Sequence, residues 1–170
     1  DPGADDSAWP DAEVIGAYGD DPWGRVGAGA SLVLPPAPLF RKEFEVARPV
    51  RSARLYVTAL GVYDATLNGR PVTQDQLRPG WTDFKKRVQY QAYDVTDLLH
   101  PGANCLGATV GSGWAAGYVG FGGRDRYGVG RQRLLAQLEV TYDDGSTETI
   151  ATDPTWRAAY GGTLEADLLM

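Results

Sequence analysis

Ala53-Arg54-Leu55-Tyr56-Val57-Thr58-Ala59, followed by Tyr63-Asp64-Ala65-Thr66-Leu67-Asn68-Gly69, decides the fold. In the first stretch Ala53, Leu55, Val57 and Ala59 recur at every second position, between Arg54, Tyr56 and Thr58. This alternation marks a half-buried strand, because successive side chains of extended backbone point to opposite faces. The second stretch alternates again and runs into Asn68-Gly69. That dipeptide accepts the positive φ angles of a type I′ turn, whose twist matches antiparallel strands, so it predicts a hairpin.

The same pattern extends outward in both directions. Phe40 to Val46 reads as a strand with Phe40, Phe44 and Val46 on one face, interrupted by Lys42. Arg87 to Tyr93 reads as a strand with Val88, Tyr90 and Ala92 inward. Thr96-Asp97-Leu98-Leu99 reads as one helical turn capped by Thr96. Asn104 to Gly111 reads as a buried strand. Leu134 to Tyr142 and Thr147 to Ile150 form a second hairpin through Asp143-Asp144-Gly145-Ser146. Helical periodicity is scarce. About eight short antiparallel strands with long polar connections predict an all-β fold, an antiparallel β-sandwich of jelly-roll type.

The 170 residues suit one domain. Residues 1–38 read as an irregular leader packed on the sandwich, with Trp9 and Trp23 folding back and Pro35-Pro36-Ala37-Pro38 stiffening the approach. Residues 39–170 read as the sandwich, with Trp156 plugging it. The ends, Asp1-Pro2-Gly3 and Leu168-Leu169-Met170, read as cuts from a longer chain. Localisation, cytoplasmic or secreted, is not legible.

Composition excludes several classes of function. Sixteen Lys and Arg against 22 Asp and Glu leave a net charge of −6. Nucleic acid and anionic membrane surfaces both select clustered cations, so neither is an expected partner. The basic run Phe84-Lys85-Lys86-Arg87 reads as a solvated strand edge. One Cys and one His supply neither an internal disulfide, nor an ordinary zinc site, nor a Cys/His dyad. Cys105 reads as a buried, inert thiol.

Four segments in order carry a resemblance. They are Leu60 to Gly69, ending in Asn68-Gly69; Leu77 to Phe84, containing Gly80-Trp81; Val88 to Thr96, ending in Asp94-Val95-Thr96; and Gly111-Ser112-Gly113-Trp114. The succession resembles the N-terminal β-sandwich domain of bacterial α-L-rhamnosidases, from about Arg41 onward, roughly three quarters of the chain. Ala115-Ala116 departs from the pattern, where an aromatic is expected after Trp114. The resemblance implies a galactose-binding-like sandwich attached to an enzyme that removes terminal α-L-rhamnose by inversion on a separate helical barrel. It implies partners in that catalytic domain and other β-sandwich domains of the same chain, and in rhamnose-containing carbohydrate. It also implies that some related domains bind rhamnose through calcium.

Inverting glycosidases need two carboxyl groups about 6.5–9.5 Å apart. The acids here read otherwise. Asp143 and Asp144 fit a turn, Glu43, Glu45, Glu139 and Glu148 fit solvent-facing strand positions, and Asp94 fits a turn that bonds backbone amides. No catalytic residue is assigned, and the chemistry is expected outside this segment. Gly113 to Gly130 is a long loop of the kind that often carries function. Trp114, Tyr118, Phe121 and Tyr127 offer faces for a sugar, and Arg124, Asp125 and Arg126 offer hydrogen bonds to its hydroxyls. The same loop also reads as a docking surface, with Trp114 as a core plug. Trp81 reads first as structural and second as a sugar platform. Calcium takes six to eight oxygens, and Asp20 with Asp21, or Asp64 with Asn68, are its candidate ligands. The alternatives to an ancillary enzyme domain are a free-standing carbohydrate-binding module or lectin, and a purely structural docking domain.

Overall fold

A computed structural model describes residues 36–120 and 123–168. The candidates Asp20, Asp21 and Phe121, and the leader's Trp9 and Trp23, lie outside them. Among the described residues nine strands form two sheets: β1 Pro38–Val46, β2 Val50–Leu60, β3 Val62–Leu67, β4 Arg70–Pro71, β5 Gln91–Asp94, β6 Gly102–Gly111, β7 Arg133–Tyr142, β8 Thr147–Ala151 and β9 Arg157–Tyr160. A 3-10 turn, Thr96–Leu98, follows β5, and a single helical turn, α1 Gly113–Ala116, follows β6. One sheet has the order β4-β3-β6-β1-β9 and the other β5-β2-β7-β8. Every named pairing is antiparallel. This is the predicted β-sandwich.

The inner faces are the alternating positions the sequence marks. Leu55 of β2 stands opposite Leu138 of β7, and both are fully buried. Tyr63, Ala65 and Leu67 of β3 meet them from the other sheet, with Leu106, Ala108 and Val110 of β6. Truncating either leucine to alanine costs about 2–5 kcal/mol, because the cavity cannot fully collapse. Trp156 packs against this core and donates from Nε1 to the Ala151 carbonyl at 2.9 Å, which confirms it as a plug.

The hairpin at Asn68-Gly69 forms as expected, with φ of 54° and 77° and Leu67 opposite Arg70. Asn68 also holds a polar junction at the end of the sandwich. Its Nδ2 donates to the Leu98 carbonyl at 2.9 Å and to Asn104 Oδ1 at 2.7 Å. Its Oδ1 accepts the Cys105 amide at 2.8 Å. Buried Asn104 donates in turn to the carbonyls of His100 and Gly102, both at 2.8 Å.

Several local expectations are corrected. Tyr90 and Ala92 face outward, Tyr90 being 66% exposed, while Gln91 and Tyr93 turn inward. The reversal follows from hydrogen bonding: the buried phenol of Tyr63 donates to Gln91 Oε1 at 2.8 Å and lies 3.2 Å from the Tyr93 hydroxyl. Burial pushes the Tyr63 phenol above its ordinary pKa. Thr96 is the first residue of the 3-10 turn rather than its cap, and Asp94 Oδ1 accepts its amide at 3.0 Å and its hydroxyl at 2.7 Å. Thr96 Oγ1 itself accepts the Ala53 amide at 2.9 Å, tying the turn to β2. Cys105 is half-buried rather than buried, because Asn104 and Leu106 take the inward positions, and it accepts from Arg41 Nε at 3.2 Å. The basic run is a turn, not a strand edge: the Lys86 and Arg87 amides donate to the Asp83 carbonyl at 2.8 and 2.9 Å.

Candidate functional site

Two loops converge beyond the ends of β3 and β6. One joins β4 to β5 and carries Trp81 and Phe84; the other follows β6 and carries Trp114 and Tyr127. The second loop leaves β6 through Gly113, at φ 53°. A side chain there would stand 2.9 Å from the Val62 amide nitrogen, so only glycine fits the close crossing. That crossing starts α1, whose second residue is Trp114.

The Trp114 indole lies parallel to that of Trp81, with interplanar angle 1° and ring centroids 6.2 Å apart. Trp81 Nε1 donates to the Tyr127 hydroxyl at 2.8 Å. Tyr127 meets Phe84 edge-on, at 5.2 Å and 70°. Offset-parallel and edge-to-face contacts both suit the aromatic quadrupole, and the indole N–H gains the partner it needs. Trp81 remains 55% exposed while it stacks on Trp114 and bonds to Tyr127. The reason is local: Gly80 takes φ 95°, and the turn presents the following indole outward. Trp114 is half-buried within this aromatic group. Phe84 joins this aromatic group although in sequence it stands inside a basic run.

Two of the loop's polar candidates, Asp125 and Arg124, have internal partners. Asp125, at φ 52°, accepts the Val129 amide at 2.6 Å and the Gly130 amide at 2.9 Å, and its own amide donates to the Gly117 carbonyl at 3.1 Å. Its carboxylate therefore folds the loop. Arg124 donates from Nη2 to Ser112 Oγ at 3.1 Å and pairs with Asp167 at 3.8 Å. The Asp167 side chain is fully buried, and its two oxygens accept the Tyr118 amide at 3.1 and 3.2 Å. Tyr118 and Arg124 face each other as an isolated antiparallel bridge. Arg126 is exposed.

The calcium candidates within the described residues do not gather into a cation cage. Asp64 accepts an ion pair from the buried guanidinium of Arg78, and Asn68 belongs to the junction with Asn104. Among the described residues, no group of three or more His, Cys, Asp and Glu is placed to hold a metal ion. Among the described residues, the carboxyls whose pKa moves are Asp94, Asp144 and Asp153. All three move down, held by hydrogen bonds from Thr96, Ser146 and Thr155, whereas a general acid needs the opposite shift. The arrangement thus offers an aromatic face on a braced loop.

Known proteins share the sequence and the fold of this chain. Residues 48–170 match the family model of the alpha-L-rhamnosidase N-terminal domain. The chain is 56% identical over 99% of its length to an alpha-L-rhamnosidase of Streptomyces avermitilis, yet spans 16% of that relative. An alpha-L-rhamnosidase of Formosa agariphila is 41% identical over 82% of the chain, which spans 15% of it. The crystal structure of the S. avermitilis enzyme complexed with L-rhamnose superposes with TM-score 0.78 at 55% identity, covering 99% of this chain and 16% of that one. The α-L-rhamnosidase from Aspergillus terreus gives TM-score 0.71 at 44% identity, covering 74% of this chain and 15% of that one.

Proposed function

This chain belongs to the family of α-L-rhamnosidase N-terminal domains, and we propose on that premise that it is a non-catalytic sandwich domain of a longer α-L-rhamnosidase. The parent enzyme removes terminal α-L-rhamnose from glycosides, with its catalytic carboxylates outside these 170 residues. The observation that carries this reading is the pairing of near-complete coverage here with 16% coverage of the S. avermitilis relative. In this reading the sandwich is of the jelly-roll, galactose-binding-like kind.

The same reading gives the domain a carbohydrate contact on the exposed Trp81 face, backed by Trp114 and Tyr127. A pyranose presents an apolar C–H face that stacks on an indole, and an indole already held by a hydrogen bond gives up little freedom on binding. Arg124, Asp125 and Tyr118 then act as the frame of the platform rather than as sugar ligands, and calcium has no assigned role there.

The test is turnover of p-nitrophenyl α-L-rhamnopyranoside by this chain and by the product of the complete reading frame that contains it. The expected result is release of nitrophenol by the complete product alone. Release by the 170-residue chain would overturn the non-catalytic assignment. A complete product that is no longer than this chain, or that leaves rhamnosides intact, would overturn the parent activity.

A further inference from the structure

The outer face of the sheet β5-β2-β7-β8 breaks the rule that its sequence otherwise keeps. Outward positions of β7 are Arg133, Leu135, Gln137 and Glu139, and Leu135 is 62% exposed among these polar neighbours. Beside it Tyr56 of β2 and Tyr90 form an aromatic pair, with centroids 6.2 Å apart at 57°. Val88 and Ala151 complete the floor and wall of a groove of about 520 Å³. Next to this apolar row the register sets a charged one: Arg54 of β2 stands opposite Asp94 of β5 and Glu139 of β7. An apolar centre bordered by charges of both signs has the anatomy of a protein interface. Leaving Leu135 and Tyr90 in water forgoes hydrophobic stabilisation that a partner would supply.

We propose that this face is the seat of a further folded domain of the same polypeptide, resting on the reading of the chain as part of a longer rhamnosidase. Length points to that occupant. This chain accounts for 16% of the S. avermitilis relative, so most of such a polypeptide is tethered beside it. A tethered partner is present at an effective concentration near millimolar, and a modest groove holds it. A second free copy would have to overcome the loss of translational and rotational freedom on the same few side chains.

The experiment compares a Leu135→Cys substitution in this chain and in the complete product. Each protein is treated with a maleimide, and the rate at position 135 is read by mass spectrometry of its peptide. The expected result is labelling at least about tenfold slower in the complete product, since only the undocked fraction reacts. Equal rates would overturn the proposal. Slow labelling of the 170-residue chain would also overturn it: if it deepens with concentration, the cover is a second copy, and if it does not, the cover lies within this chain. A complete product of unchanged length would instead remove the parent-enzyme reading itself, before any labelling.

Discussion

Asp167 and Tyr118 stand 49 positions apart, yet both oxygens of the Asp167 carboxylate accept the Tyr118 amide, at 3.1 and 3.2 Å. Gln132 Nε2 and Arg124 Nη2 converge on Ser112 Oγ beside this contact, both at 3.1 Å, and the Ser112 amide donates to the Ala166 carbonyl at 2.7 Å. Residues 166–167 thereby brace the loop that carries Trp114 and Tyr127. Replacing Asp167 with Ala strands a partly buried guanidinium and a backbone amide. The expected cost is about 3 kcal/mol in urea unfolding. Because the brace supports the aromatic group, the folded variant also shows altered tryptophan fluorescence. An unchanged spectrum at unchanged stability would remove the brace from the account.

Trp81→Ala separates platform from core. An indole 55% exposed contributes less to stability than a buried one, so the loss in unfolding free energy stays below about 1.5 kcal/mol. Titration with L-rhamnose, followed by heat or chemical shift, gives millimolar binding in the parent chain and none in the variant. Asp125→Ala weakens the same binding without touching sugar, by releasing the Val129 and Gly130 amides. Binding that survives Trp81→Ala moves the carbohydrate contact elsewhere.

Asn68 tests the junction at the end of the sandwich. Asn68→Gly keeps the positive φ of the turn but removes the side-chain bonds to Leu98, Asn104 and Cys105. The expected loss is about 2 kcal/mol by chemical denaturation. Asn68→Ala adds the strain of a Cβ in the left-handed region and costs roughly 1 kcal/mol more. If the alanine variant is the more stable of the two, backbone strain is not the term that matters there.

The acid limb of the stability curve has a defined sign. Asp94, Asp144 and Asp153 have folded pKa values below the ordinary 3.8, through hydrogen bonds from Thr96, Ser146 and Thr155 respectively. Their contribution is fully present above that value and is lost as pH falls through the lower folded values. The triple substitution Asp94→Asn, Asp144→Asn, Asp153→Asn keeps an acceptor oxygen at each site but removes the titration. Urea midpoints measured at descending pH should fall less steeply in the variant. A steeper acid limb would assign the dependence to other groups.

The sequence by itself determined the strands whose faces differ in polarity. Alternation through Ala53–Ala59 and Tyr63–Leu67 reaches the observed inward set, and Asn68-Gly69 reaches its turn, because both signals are local: the period of extended backbone and the tolerance of two residues for positive φ. The family also lay in local motifs, and the match over residues 48–170 bears out the resemblance they carry. Where polar and apolar residues alternate ambiguously, as in Arg87–Tyr93, the inward face was decided by a partner from another strand, the buried phenol of Tyr63. The candidate site was legible as residue types and illegible as a set. Trp81 and Trp114 meet only because two loops end at the same edge of the sandwich, and Phe84 joins them through Tyr127. Asp125 looks like a ligand in sequence and is a loop brace in three dimensions, since its carboxylate is taken by amides that the folded loop itself brings to it. Such pairings depend on chain closure over tens of residues, and no local preference encodes them.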